Sequence, residues 1–226
     1  MSNPKVITPP TAEPITLEEA HLHLRLDVYD SPPAHPDDPL ILGQITAARE
    51  WIEKFTGRCM TARVLEMGLD AFPHRHHGHH RYPDHRLGLV YTGDVRHPRP
   101  IRLLGGPVNG LDSIHYTDAA GVDQVMTDAQ FDSYEEPARV LPAAGASWPP
   151  TQIRMAAVKV RYSAGYSLPD DSPNLPPLPK PLKQAMLLVL GHLYENREDS
   201  VDVALESIPL GAQALARPYR LDTALA

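Results

Sequence analysis

Proline placement constrains this chain more than any other feature. There are 25 prolines in 226 residues, more than twice the usual share of about 5%. They cluster at 9 to 14, 32 to 39, 98 to 107, 142 to 150 and 169 to 181. Proline lacks a backbone N–H and its ring clashes with the preceding helical turn, so such clusters mark turns and element ends. The chain is thereby cut into segments that must each read as helix or strand by their own periodicity. The stretches between clusters are apolar and periodic, which is the pattern of a folded chain and not of a low-complexity one.

Three segments read as helices. "PITLEEAHLHLRLD" opens on a capping box, Thr16 with Glu19 three residues on, and continues with Leu17, Ala20 and Leu24, predicting a short helix over 16 to 26. His21 and His23 within it read as partly exposed, since positions i and i+2 point to different faces. "SPPAHPDDPLILGQITAAREWIEKFTGR" is the clearest helix. Asp38 suits the cap, Pro39 the first helical position, and Ile41, Ile45, Ala48, Ile52 and Phe55 form one apolar stripe ended by Gly57. Trp51 beside the stripe reads as a core residue. After a proline-rich link, "LKQAMLLVLGHLYENRED" carries Leu182, Met186, Val189, Leu190 and Leu193 on one broad face, with Pro181 at its start. One more helical turn or two is expected around Leu210 to Ala216, stopped by Pro218.

Between these helices the period shortens. "TARVLEMGLDAF", "PIRLLGG", "LDSIHYTDAAGVDQVM", "ARVLPA" and "AVKVRYSAGYS" read as strands, the third broken by a turn at Asp118 to Gly121. Turn residues recur too closely for crossover helices, so an antiparallel meander or small barrel is expected. The fold class is α+β: a helical bundle built from the N- and C-terminal segments, with a β-rich antiparallel insert. The expected divisions are 14–60 for the N-terminal helices, 61–168 for the insert with a histidine-rich loop at 73–100, 179–200 for the C-terminal bundle helix, and 207–226 for a C-terminal arm.

Composition narrows the function classes. A chain this long buries roughly 70% of its unfolded surface, enough for a real core. A net charge of −7 disfavours a general nucleic-acid footprint. A single cysteine, Cys59, excludes an internal disulfide and fits a reducing compartment; it reads as a small core residue. The N-terminus lacks an apolar targeting region and no stretch has the length of a membrane span, so a soluble protein made inside the cell is expected. Phosphate-binding, nucleophile-elbow, zincin and cysteine-pair motifs are absent, and "GGPVNG" reads as a turn. Adjacent acids at Asp37–Asp38, Glu135–Glu136 and Asp170–Asp171 read as solvated turn or cap residues. No catalytic, cofactor-binding or metal-binding residue is therefore assigned.

The most conspicuous chemistry is "HRHHGHHRYPDH", six histidines in twelve positions from 74 to 85. His76 with His80, or His77 with His79, has the residue types for zinc, but Pro73, Gly78 and Pro83 describe a loop without the rigid frame a metal site needs. Arg75, Arg81, Arg86 and Arg96 share the region, which makes it a basic patch on an acidic chain that gains charge as histidines titrate near pH ~6.5. His74, His76, His77, His79, His80, Arg81 and His85 are accordingly expected to contact a partner: a neighbouring subunit, an acidic protein or DNA. The competing class is a histidine-dependent metal-binding module or metalloenzyme; a third is a ring-shaped DNA-interacting factor.

In order, "PITLEEAHLHLRLD", "LILGQITAAREWIEKFTGRCM", "ARVLPAAGASWPP" with "AVKVRYSAGYS", and "PLKQAMLLVLGHLYENRED" with "IPLGAQALARPYR" resemble the head-tail connector, or adaptor, proteins of tailed bacteriophages and gene transfer agents. The resemblance runs from about 14 to 220, and no family motif covers 73 to 100. It implies a structural virion protein of the neck, assembled in a bacterial cytoplasm: a ring, usually of twelve subunits, beneath the portal, extending the channel for double-stranded DNA that passes without sequence-specific binding. It also implies a stopper or tail-completion protein as the partner on the far side, and no membrane. The helix from Leu182 to Arg197 would belong to the ring body. Pro209, Leu210, Leu215, Arg217, Pro218 and Tyr219 would lie on a portal-facing arm, and removal of the residues after Ser207 is expected to spare the fold.

Overall fold

A computed structural model describes residues 4–27, 35–73, 98–134, 136–168, 175–196 and 209–221. In chain order the elements are β1 (Lys5–Thr8), α1 (Leu17–Leu24), α2 (Asp38–Thr56), β2 (Arg63–Leu69), β3 (Ile101–Arg102), β4 (Val108–Thr117), β5 (Asp123–Met126), β6 (Ala129–Asp132), β7 (Arg139–Pro142), β8 (Val158–Ala164), α3 (Lys180–Glu195) and α4 (Leu210–Ala216), followed by a 3₁₀ turn at Arg217–Tyr219. The fold is α+β, with the helices drawn from both ends of the chain and the sheets from its middle, joined by the N-terminal edge strand β1.

Local chemistry explains the helix ends. Thr16 Oγ1 accepts from the Glu19 N–H at 3.2 Å, and the Thr16 N–H donates to Glu19 Oε2 at 3.0 Å, completing the capping box of α1. Helix α2 starts one residue earlier than its prolines suggest: Asp37 is the flanking residue and Asp38 is already helical. The Asp38 carboxylate does not cap, because it is engaged by the His35 N–H and by His21. Gly57 ends α2 in the left-handed region at φ 71°, with its N–H donating to the Glu53 carbonyl at 2.8 Å.

The helices enclose one core. Ile41, Ile45, Ala48 and Ile52 of α2 meet Leu182, Ala185, Met186, Val189 and Leu190 of α3, with Ala20 of α1 and Ala212 and Ala216 of α4 closing the sides. Trp51 and Phe55 are only half-buried at its margin, stacked on each other with centroids 5.2 Å apart.

A second core lies under two antiparallel sheets, one ordered β1-β2-β8-β4-β5 and the other β3-β7-β6. Alternation places Val158, Val160, Tyr162 and Ala164 of β8 inward and Lys159 and Arg161 outward. The central pairing joins β2 to β8, with Leu65 opposite Tyr162 and Met67 opposite Val160. The expected meander is therefore replaced by a sheet whose middle strands are far apart in sequence. The β4–β5 hairpin turns at Asp118–Gly121 as expected; the Asp118 carboxylate accepts from Ala120 N and Val122 N, both at 2.9 Å. Strands β1 and β6 were not expected, and "PIRLLGG" contributes only two strand residues. At Gly165 a Cβ would stand 2.1 Å from the Thr61 carbonyl oxygen, so that crossing admits only glycine.

Candidate functional site

Two polar joints connect the helical core to the sheets and place the C-terminal segment. In the first, Glu53 of α2 is the hub. Its carboxylate accepts from the Met60 N–H at 2.9 Å, from Arg49 Nη1 at 3.0 Å and from both terminal nitrogens of Arg63 on β2. Arg49 reaches back to Glu13 at 2.7 Å. Burial alone would lower the Arg49 pKa, but the hydrogen bond to Glu13 and the charges of Glu53, Glu13 and Glu50 outweigh it and hold the pKa above its ordinary value.

The second joint is Arg58. Its guanidinium pairs with both oxygens of Glu136 in the insert, and its Nε donates to the Tyr219 carbonyl. Tyr166 Oη lies 3.4 Å from Arg58 Nη1. Desolvation pulls the Arg58 pKa down, and the Glu136 hydrogen bond with the nearby charges more than restores it. Glu136 is thus an ion-pair partner and not merely a solvated turn residue. A backbone bond from Leu221 N to Thr56 O, 2.8 Å, fastens the same segment to the end of α2.

These bonds decide how the six residues expected on an arm are disposed. Leu210, Arg217 and Pro218 are exposed, whereas Leu215 and Tyr219 pack partly buried against the helical core and Pro209 is half-buried at the start of α4. Ala212 and Ala216 lie inside that core. The segment is seated on the bundle and offers only its outer side to a partner. The residues after Ser207, expected to be dispensable for folding, contribute Ala212 and Ala216 to the helical core. The seven loop residues His74, His76, His77, His79, His80, Arg81 and His85 lie outside the described residues. Among the described residues, no group of three or more histidines, cysteines, aspartates or glutamates is placed to hold a metal ion, and no helix is long and apolar enough to cross a membrane.

One cluster escaped the sequence reading. His21, expected on a partly exposed face, is 5% exposed, and its Nε2 lies 2.6 Å from Asp38 Oδ1. Asp38 Oδ2 accepts from the His35 N–H at 2.9 Å, the His35 Nδ1 accepts from the Asp37 N–H at 3.1 Å, and Tyr194 of α3 donates to Asp37 at 2.7 Å. The His35 backbone bond, then the His21 hydrogen bond and charge, hold the Asp38 carboxyl below its usual range against some desolvation. This cluster pins α1, the start of α2 and the end of α3 together. Its sequence signal is slight, since His21 and Asp38 are separated by 17 residues. Cys59 is buried, and that burial pushes its thiol up to about 12, which removes it as a nucleophile.

No family model and no curated protein matches the chain. Solved structures do. The chain is similar to one in the neck of an empty gene transfer agent (GTA) particle computed with C6 symmetry, at 22% identity and a TM-score of 0.68, covering 97% of this chain and 96% of that one. It is similar to a chain in the virion of a native GTA particle, at 22% identity and TM-score 0.66, covering 96% and 95%. A chain in the neck of a native GTA particle computed with C12 symmetry gives 22% and 0.60, covering 97% and 96%. The likeness is one of fold, and it runs nearly end to end in both directions.

Proposed function

We propose that this protein is a structural, non-catalytic subunit of a particle neck: a ring-shaped head-tail adaptor of a virion or gene transfer agent. The observation that carries this reading is the near full-length fold likeness to neck chains, one of them computed with C12 symmetry. In this reading twelve copies close a ring between a portal protein and a stopper or tail-completion protein. The ring extends the passage for double-stranded DNA. A chain of net charge −7 suits a passage that must not hold the DNA backbone, because like charges repel it.

The exposed side of the α4 segment, Leu210, Arg217 and Pro218, is the portal contact. Its inner side is occupied by the bundle, so the contact is presented by a rigid element and costs little ordering on docking. In this reading the particle also carries a portal ring, and co-sedimentation of the full chain with the portal ring of the same particle tests this. The wild-type chain is expected to travel with the ring, and Leu210→Glu with Arg217→Glu to lose it while retaining the same circular dichroism. A wild-type chain that does not associate with that ring overturns the adaptor reading.

A further inference from the structure

Among the described residues, two exposed apolar surfaces lie on different parts of the molecule. The first is the loop from Thr151 to Ala157, where Ile153 is 92% exposed and Met155 90%. Exposure of this kind usually accompanies a floppy segment, but this loop is held at several points. Thr151 bridges to Asp118, Gln152 N donates to Thr117 O at 3.1 Å, Thr117 N donates to Ala157 O at 2.9 Å, and Ala156 N donates to Asp70 Oδ1 at 3.0 Å. Ala156 is kept in the left-handed region at φ 51°, which a residue with a Cβ seldom takes. A fixed loop that shows two large apolar side chains to water has the form of a knob. Val122 and Val125, both more than half exposed, extend the apolar surface on the adjoining hairpin.

The second surface is a concavity of about 420 Å³ between α1 and α3. Leu22, 81% exposed, and Leu187 form its apolar wall, and His23 packs over Gly191 where the two helices approach. Glu19, Lys180 and Lys183 line its rim. The knob carries Arg154 between its two apolar residues, with Asp123 4.0 Å from that guanidinium. Each therefore offers an apolar centre with both signs of charge beside it: Arg154 and Asp123 on the knob, and Lys180 with the Glu19–Lys183 pair at the concavity.

We propose that the Ile153–Met155 knob of one copy seats in the α1–α3 concavity of the next, forming the subunit contact of the ring. This rests on the ring reading above and names the surfaces that build it. A contact between two different patches of the same chain is heterologous, and a heterologous contact propagates head to tail until rotation closes it into a ring. Desolvating Ile153, Met155 and Leu22 together supplies the driving force, and the charged rims set the register. One copy cannot satisfy the contact with itself in this fold, since both surfaces remain exposed.

The experiment has two arms, both on the full chain. In the first, native mass spectrometry and sedimentation follow self-association from micromolar to several hundred micromolar. Ile153→Asp with Met155→Asp, and separately Leu22→Asp, are expected to weaken association at least about tenfold, with Trp148 and Trp51 fluorescence unchanged. Association of the wild type that both variants match overturns the contact and leaves the ring reading standing. A wild type that stays monomeric throughout, with and without the portal ring, overturns both. In the second arm, a chain carrying Ile153→Cys is mixed with one carrying Leu22→Cys under mild oxidation; Cys59 is buried and does not compete. A disulfide between the two variants, absent from either alone, is the expected result. Self-linkage of the Ile153→Cys chain at equal yield overturns the proposal by showing a two-fold, knob-to-knob contact.

Discussion

The helical core and the sheet core both join segments that are distant in sequence, but they differ in legibility. In the helical core, α2 and α3 come from opposite ends of the chain, yet each announces its buried face by spacing alone: Ile41, Ile45, Ala48 and Ile52 on one, Leu182, Met186, Val189 and Leu190 on the other. In the sheet core the decisive contact is a register, Leu65 against Tyr162 and Met67 against Val160, which no local pattern contains. A helix satisfies its own backbone and then seeks a partner, whereas a strand is defined by its partner. Each core also holds one tryptophan. Trp51 stacks on Phe55 at the helical margin, and Trp148 stacks on Phe72 at 4.7 Å in the sheet core. Variants that keep only one of the two report the cores separately.

The largest expected effect falls chiefly on the helical core. Ending the chain after Ser207 removes Ala212, Ala216 and Leu221 from their buried positions, together with the partly buried Leu215 and Tyr219. At about 1.5–3 kcal/mol for each large apolar side chain fully buried, the loss is roughly 3–6 kcal/mol. The denaturation midpoint read through Trp51 is expected to fall well below that read through Trp148. Equal falls at both probes show that the two cores unfold as one unit and dissolve the distinction.

Glu53→Ala strikes the joint between the cores. It strips the hub carboxylate from Arg49 and Arg63, whose side chains are each only 7% exposed, and leaves the Met60 N–H without its acceptor. Removing one partner of a buried ion pair costs about 3–5 kcal/mol, because the remaining charge stays desolvated. Both probes are expected to shift downward, and to separate from each other if the joint is what couples them. A shift confined to Trp51 places Glu53 within the helical core only and sharpens the boundary between the two.

The same contrast explains what could be read beforehand. The capping box at Thr16 and Glu19, the Gly57 stop and the Asp118–Gly121 turn are local codes, and each is present where its residues stand. The edge strand β1 and the short β6 were not legible, because "KVIT" and "AQFD" acquire strand character only from Leu65 and Val140 across the ladder. At the candidate site the helix at Leu210–Ala216 was legible as a helix. Its seating was not, since that depends on Arg58 meeting Tyr219 and Glu136 from three distant segments. His21 was misplaced for the same reason: its burial follows from Asp38, which arrives from the next helix. The knob and concavity left no pattern at all, because exposure is a property of the folded surface.

The smallest effect separates the cores by pH. The folded Asp38 carboxyl sits below its usual value, chiefly through the His35 backbone bond and also through His21. A depressed carboxyl pKa contributes stability that is fully present above the unfolded value, about 3.9, and is lost as pH falls through the lower folded value. For Glu19 desolvation pushes the pKa up, but the bonds to Lys183 and Thr16 and the Lys183 charge together outweigh it and hold it below its ordinary value, so it acts in the same direction on the same core. Asp118 and Asp132 are also depressed, so the sheet core weakens in acid as well. The discriminating variant is Asp38→Asn, which keeps an oxygen acceptor for the His35 N–H but cannot ionise. Its expected result is a slightly lower midpoint at pH 7 through Trp51 and a shallower acid slope below pH ~4 at that probe, with the Trp148 slope unchanged. An equal flattening at Trp148 requires the His21–Asp38 contact to support the sheets too, a coupling that would have to pass through α2 to the Glu53 hub.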